Sequence, residues 1–117
     1  MRLFRRNYTM TLNRVHDTIA IKEGSETLKL TVNGDAMRMV AGLEKARQNM
    51  QTITEDTDPE KIKEIAEHFA TVIFGPEQAA RLMEFYANDA PCVVSVCGQY
   101  FKARLADKIA EVQKKAK

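Results

Sequence analysis

Apolar and polar residues alternate along residues 18–32, TIAIKEGSETLKLTV. The alternation is interrupted only by the segment 23–26, Glu-Gly-Ser-Glu, which has the composition of a tight turn. A period of two is typical of strands with one buried face. The pattern therefore predicts a β-hairpin that must pack on other elements, because a lone two-stranded hairpin is marginally stable. Its predicted inward residues are Ile19, Ile21, Leu28, Leu30 and Val32.

Beyond the hairpin the apolar spacing changes to three and four, which predicts amphipathic helices. Asp35 is placed to cap a first helix that begins at Ala36 and runs for about five turns. Gly42 lies inside this helix and allows close packing, for which the hairpin is the suggested neighbour. Asp58 followed by Pro59 marks the start of a second helix, because a capping side chain and a proline at the first helical position favour helix initiation.

Glycine and proline divide the second half of the chain. The second helix is predicted to end at Gly75, and Pro76 restarts a short helix. Asp89, Ala90 and Pro91 open a long final helix in the same way. The apolar stripe predicted for this last helix consists of Val93, Val94, Cys97, Phe101, Leu105, Ile109 and Val112.

The predicted fold is α+β, an N-terminal β-hairpin followed by about four α-helices, and it is predominantly helical. A length of 117 residues indicates one domain. We assign residues 1–15 to a basic, loosely ordered N-terminal extension, residues 16–113 to the single domain and residues 114–117 to a frayed basic tail.

Composition places the chain among cytoplasmic globular proteins. The apolar runs are far shorter than the roughly 20 residues of a membrane span, and the arginines near the N-terminus precede no apolar run, so no secretory signal is predicted. Two cysteines, Cys92 and Cys97, are about 140° apart on a helix, which disfavours a disulfide between them. Both are predicted to be small core residues.

Charge is unevenly distributed. Residues 1–15 contain four arginines and no acid, and residues 102–117 contain six basic and two acidic residues, so each end has a net charge of +4. With a total of +2, the body between them is −6. Basic ends are compatible with an acidic partner or a nucleic acid, but a solvated final helix with a frayed lysine tail is the favoured interpretation.

No residue pattern predicts catalysis, a cofactor or a metal. Glu64 and His68 lie one helical turn apart, but a metal site needs further ligands that the spacing does not supply. Ser25 and Ser95 have no histidine at a recognisable offset. A helix-turn-helix within residues 75–98 is disfavoured because its second helix would begin with apolar residues, whereas recognition helices carry polar side chains there.

Three segments carry a family resemblance. The first is VNGDAMRMVAGLEKA after the hairpin, the second is IFGPEQAARLMEFYAND, and the third is the last helix VCGQYFKARLADKIAEVQKKAK. Within them, Phe74-Gly75, the run 77–79 (Glu-Gln-Ala), Phe85-Tyr86 and Asp89 are the most specific positions. Over residues 18–113 the chain resembles the tail assembly chaperones of long-tailed phages and prophages of Gram-positive bacteria.

The resemblance implies a non-enzymatic protein of the bacterial cytoplasm. Members of this family bind the tape-measure protein during tail assembly, recruit the tail-tube protein and often self-associate. They often have a longer form made by translational frameshifting. The alternative that the residues leave open is a small nucleic-acid-binding or regulatory protein that uses its basic termini.

One row of residues is a candidate for binding a partner. Tyr100, Arg104 and Lys108 follow one another at four-residue steps, and Tyr100 lies off the predicted apolar stripe. We predict that they form a partner-facing edge. Met37 joins them as a candidate, because Met37 and Met39 cannot both face one core from a single helix, and methionine adapts to varied contacts.

Overall fold

A computed structural model describes residues 14–115 and confirms the α+β prediction. An antiparallel hairpin of β1 (Arg14–Glu23) and β2 (Glu26–Asp35) precedes four helices. The first three are α1 (Ala36–Gln51), α2 (Pro59–Phe74) and α3 (Pro76–Phe85). The fourth is one continuous rod that consists of α4 (Ala90–Tyr100), a π-helical segment (Phe101–Leu105) and α5 (Ala106–Lys115).

Both strands are longer than the alternation predicted. The ladder continues past Thr18 to the pair Arg14–Asp35. Arg14 and Val15, which we assigned to the N-terminal extension, therefore belong to β1, and Val15 is buried. Asp17, which lies between Val15 and Ile19, is polar, so the alternation of apolar residues did not reveal that the strand continues to Arg14. The rest of the predicted extension, residues 1–13, lies outside the described residues, as do the last two residues of the predicted tail.

The hairpin buries the face that the sequence predicted. Gly24 has φ +61° at the first position of the two-residue loop, where tight hairpin turns of type II′ require glycine. On β2, Leu28, Leu30 and Val32 are buried, whereas the intervening residues are exposed. Ile19 and Ile21 on β1 are half-buried against the same core. The hairpin is thus one wall of the domain.

The predicted helix starts are confirmed for α1 and α2. The Asp35 carboxylate accepts a hydrogen bond from the backbone N–H of Met37 at 2.9 Å, and Asp58 accepts one from Glu60 at 3.0 Å, with Pro59 as the first helical residue. α4 begins at Ala90 as predicted, but the Asp89 side chain makes no capping bond to its backbone.

Helix α2 is the centre of the domain, because it packs against α1, α3, α4 and β2. Gly42 of α1 faces it. A Cβ atom at Gly42 would lie 3.0 Å from both methyl carbons of Val72. The close approach predicted for this glycine is therefore made to α2.

The Gln78 carboxamide closes the outer edge of β2. It accepts a hydrogen bond from Thr31 N–H at 2.7 Å and donates to the Thr31 carbonyl at 2.5 Å and to the Phe74 carbonyl at 2.8 Å. A side chain thereby replaces one residue of a neighbouring strand. This contact joins α3 to the hairpin.

Replacing Gln78 with alanine is expected to lower the free energy of unfolding by about 1 kcal/mol, because water can replace bonds at this partly exposed site. The matched control is Gln99→Ala, which removes only a bond to the Ser95 hydroxyl. Urea denaturation of both variants measures the difference. Equal midpoints for the two variants would show that the edge contact contributes nothing.

Candidate partner-binding groove

An apolar groove of about 390 Å³ opens between α1, α2 and the last helix. Leu43 and Phe69 are buried at its base. The groove is defined by the following lining residues: Val40, Leu43, Glu44, Arg47, Met50, Phe69, Val94, Gly98, Phe101, Lys102 and Ile109. Because most of these side chains are aliphatic or aromatic, the groove favours an apolar occupant.

The apolar wall residues of this groove are only partly covered by the chain itself. Met50, Val94, Phe101 and Ile109 pack against the core but remain half-buried. Burying apolar surface stabilises a complex by roughly 25 cal/mol per Å². The exposed parts of these side chains are therefore a source of binding energy for a partner that covers them.

Gly98 leaves an open space in the groove. A Cβ atom at this position would have no heavy atom within 4 Å, apart from those of the two neighbouring residues and the adjacent helix backbone. A glycine in a helix interior costs about 1 kcal/mol relative to alanine. At Gly42 the packing of Val72 explains the glycine, but at Gly98 no described neighbour does.

Charged side chains lie at the rim of the groove. Glu44 and Arg47 form an exposed ion pair one turn apart on α1. Hydrogen bonding to Arg47 lowers the pKa of Glu44, so this pair is ionised at neutral pH. Lys102, on the opposite wall, is exposed and has no ion-pair partner among the described residues. The rim therefore has one cation that is available to an acidic group.

A π-helical segment changes the phase of the last helix after Phe101. The Ala106 N–H donates to the carbonyl of Phe101, five residues earlier, which widens the turn. Tyr100 and Leu105 are consequently both buried, although residues five apart on an α-helix are separated by about 140°. Phe101 and Lys102 line the groove. A periodicity of 3.6 could not predict this change of phase.

The opposite side of the last helix is tied to the hairpin through Asp17. The Tyr100 hydroxyl donates to the Asp17 carboxylate at 2.7 Å. Arg104 donates to the same carboxylate through two nitrogens, at 2.9 and 3.0 Å. Hydrogen bonds from Arg104 and Tyr100 hold the pKa of Asp17 below its ordinary value. Burial and the bond to Asp17 raise the pKa of Tyr100, which therefore keeps its proton.

The predicted partner-facing row does not form a single exposed edge. Tyr100 was expected off the apolar stripe, and this is wrong: it is 6% exposed and its ring lies 5.9 Å from that of Phe74. It follows Val93 and Cys97 at helical spacing, so it belongs to the core face. Arg104 is exposed but engaged by Asp17, and Lys108 is half-buried. A role of these residues in partner binding stays a prediction.

Met37 has the exposure that the sequence predicted. It is 45% exposed, whereas Met39 is 8% exposed and belongs to the core. Met37 precedes Val40 by three residues and Glu44 by seven, so it lies on the face of α1 that lines the groove. The apolar surface therefore continues beyond the groove by one helical turn.

Sequence reasoning missed Gly98, Phe101 and Lys102 as one side of a site. Phe101 packs against the core, as its place on the predicted stripe implied, and it also lines the groove together with Val94 and Gly98. The sequence contained one signal for this site. Gly98 lies inside the predicted last helix, among residues that favour packing. A glycine inside a helix, away from any turn, indicates either a close contact at that position or a space that another molecule fills.

The remaining candidate residues lie elsewhere. Glu64 and His68 share a shallow cavity with Lys45 and Lys61, whose charges disfavour a cation. In residues 14–115, no three metal-ligating side chains come close enough to hold an ion. Cys97 is buried, as predicted, and burial raises the pKa of its thiol to about 12. Cys92 is only half-buried.

Within the described residues, no helix combines the length and apolar character needed to cross a bilayer. Comparison of the chain with protein-family models, with curated proteins and with solved structures gives no match.

Proposed function

We propose that this chain is a non-enzymatic tail assembly chaperone, which binds the tape-measure protein of a phage or prophage and helps to recruit the tail-tube protein. The apolar groove with the open space at Gly98 is the observation that carries the proposal. A chaperone for a long helical protein needs apolar surface that covers the partner before assembly, and this groove provides such surface.

The chemistry of the groove supports binding over catalysis. Its polar groups are an ion pair and an ammonium group, Glu44–Arg47 and Lys102. These groups attract and orient charged partners, but they include no nucleophile beside a base. The resemblance of residues 18–113 to tail assembly chaperones supports the same function and suggests the partner.

A small nucleic-acid-binding or regulatory protein is the second candidate. The net charge of +4 in residues 1–15 and again in residues 102–117 favours it. Asp17 neutralises Arg104 within this second segment, which reduces the basic surface of the last helix. We therefore place this function second.

The proposal expects a large coiled-coil-rich reading frame, that of the tape-measure protein, immediately downstream of the gene for this chain, and co-expression of the two products tests the binding. The tape-measure product is expected to stay soluble and to co-elute with this chain in size-exclusion chromatography. An unrelated helical protein of similar size is the control. If the tape-measure product aggregates equally with either protein, the proposed function is wrong.

A gel-shift titration with duplex DNA tests the second candidate. Binding through the basic ends would weaken steeply as salt rises from about 50 to about 200 mM, because phosphate contacts release counterions. The chaperone proposal expects no stable shifted complex at the higher salt concentration.

A further inference from the structure

We propose that the groove binds one face of an amphipathic α-helix of a partner protein, with an apolar side chain of that helix over Gly98 and a carboxylate of the same helix paired with Lys102. The identity of the partner rests on the proposed function. The amphipathic and acidic character of the bound helix is inferred only from the residues of the groove.

The space over Gly98 is the first reason. This glycine has no positive φ, and a Cβ atom there would meet no heavy atom within 4 Å apart from its chain neighbours and the adjacent helix backbone. Neither backbone geometry nor internal packing therefore requires glycine. An inserted side chain of a partner favours a small residue at this position, because a larger residue would occupy the same space.

The shape of the apolar surface is the second reason. Val40, Leu43 and Met50 of α1 line the groove and are spread over ten residue steps, about 15 Å of helix, and the exposed Met37 lies about one turn beyond Val40. A helix laid in a groove contacts such a surface through residues spaced by three and four. A small apolar acid confined to the 390 Å³ cavity would leave Met37 uncovered. We therefore infer that the partner segment in the groove is a helix.

Charge complementarity is the third reason. Lys102 has no ion-pair partner among the described residues, while Arg47 is already paired with Glu44. The rim therefore favours an acidic residue beside the apolar anchor. Electrostatic complementarity of this kind mainly sets which partner is chosen and in which orientation.

Fluorescence anisotropy with the full chain tests the inference. The probe is a synthetic amphipathic peptide with leucines at positions i, i+4 and i+7 and glutamates flanking the first leucine. Gly98→Leu is expected to weaken binding at least tenfold, because the leucine side chain fills the space. Gly98→Ala is the matched control; it favours the helix, should not lower the melting temperature and should weaken binding less than threefold.

A second set of binding measurements, with the charge at residue 102 reversed, tests the role of Lys102. Lys102→Glu is expected to weaken binding of the acidic peptide about fivefold, and a peptide with lysine in place of the glutamates should recover the loss. Lys61→Glu, exposed on α2 and outside the groove lining, is the control. Equal affinity of the Gly98→Leu variant and the wild type would overturn the inference. Binding of dodecanoate with no binding of the peptide would also overturn it.

The two proposals fail in different ways. If the tape-measure protein does not co-elute but the acidic peptide binds and is blocked by Gly98→Leu, the function is wrong and the groove inference holds. If the tape-measure protein co-elutes equally with wild type, Gly98→Leu and Lys102→Glu, the function holds and the groove inference is wrong.

Discussion

Replacing Leu30 with alanine is expected to lower the free energy of unfolding by about 3–5 kcal/mol, the largest single effect that we predict. Leu30 is 1% exposed and lies in the middle of the inner row of β2, between Leu28 and Val32. Truncation leaves a cavity where the hairpin meets the helices. Because a two-stranded hairpin is marginal alone, this contact decides whether it stays folded.

Urea denaturation followed by circular dichroism measures the Leu30 effect. The matched control is Lys29→Ala, which changes the adjacent residue of the same strand on the exposed face. The control is expected to change the unfolding free energy by no more than about 0.5 kcal/mol. Similar losses for both variants would mean that the inner face of β2 does not pack on the helices.

Replacing Asp17 with alanine is expected to lower the free energy of unfolding by about 2 kcal/mol. The reason is that the buried Tyr100 loses its acceptor and Arg104 loses both of its bonds. Tyr100→Phe is expected to cost about 1 kcal/mol, since it removes one bond and keeps the ion pair. Denaturant titrations of both variants and the wild type provide the comparison.

The control for Asp17 is Asp56→Ala, in the exposed loop between α1 and α2. It should leave stability within about 0.5 kcal/mol of the wild type. An Asp17→Ala variant that is as stable as the Asp56→Ala variant would contradict a stabilising role for the link between the hairpin and the last helix.

The contribution of Asp17 should also depend on pH. Its folded-state pKa is depressed, mainly by hydrogen bonds from Arg104 and Tyr100, so the unfolded state takes up a proton first as pH falls. The stabilisation is complete above the unfolded-state pKa of about 4. It is lost as pH falls further through the folded-state pKa. The stability difference between wild type and Asp17→Asn should therefore shrink below about pH 4, and a constant difference down to about pH 2 would contradict this linkage.

Local chemistry made most of the fold predictable. The alternation in residues 18–32 predicted the hairpin, and Asp35 and the pair Asp58-Pro59 predicted the starts of α1 and α2, because capping and periodicity depend on residues within one or two turns. Helical periodicity also predicted that Met37 and Met39 could not both face the core, and Met37 is the exposed one.

The site was less predictable because it depends on the phase of one helix. The sequence placed Tyr100 outside the core and Phe101 inside it, and the π-helical segment was not foreseen. Tyr100 in fact faces the hairpin while Phe101 and Lys102 face the groove. A single widened turn changes which side chains after Phe101 face the core and which face the groove.

The sequence by itself determined most of the elements of this protein: a hairpin and the helices that follow it, with the helix starts set by local periodicity, caps and turn residues. Only the tertiary structure decided that Asp17 joins Tyr100 and Arg104, which are 83 and 87 residues away along the chain. It alone placed α1 opposite Gly98 and left a groove between them. Such contacts depend on how whole helix faces pack together. The spacing of residues along the chain does not predict which space is left unfilled between the packed helices.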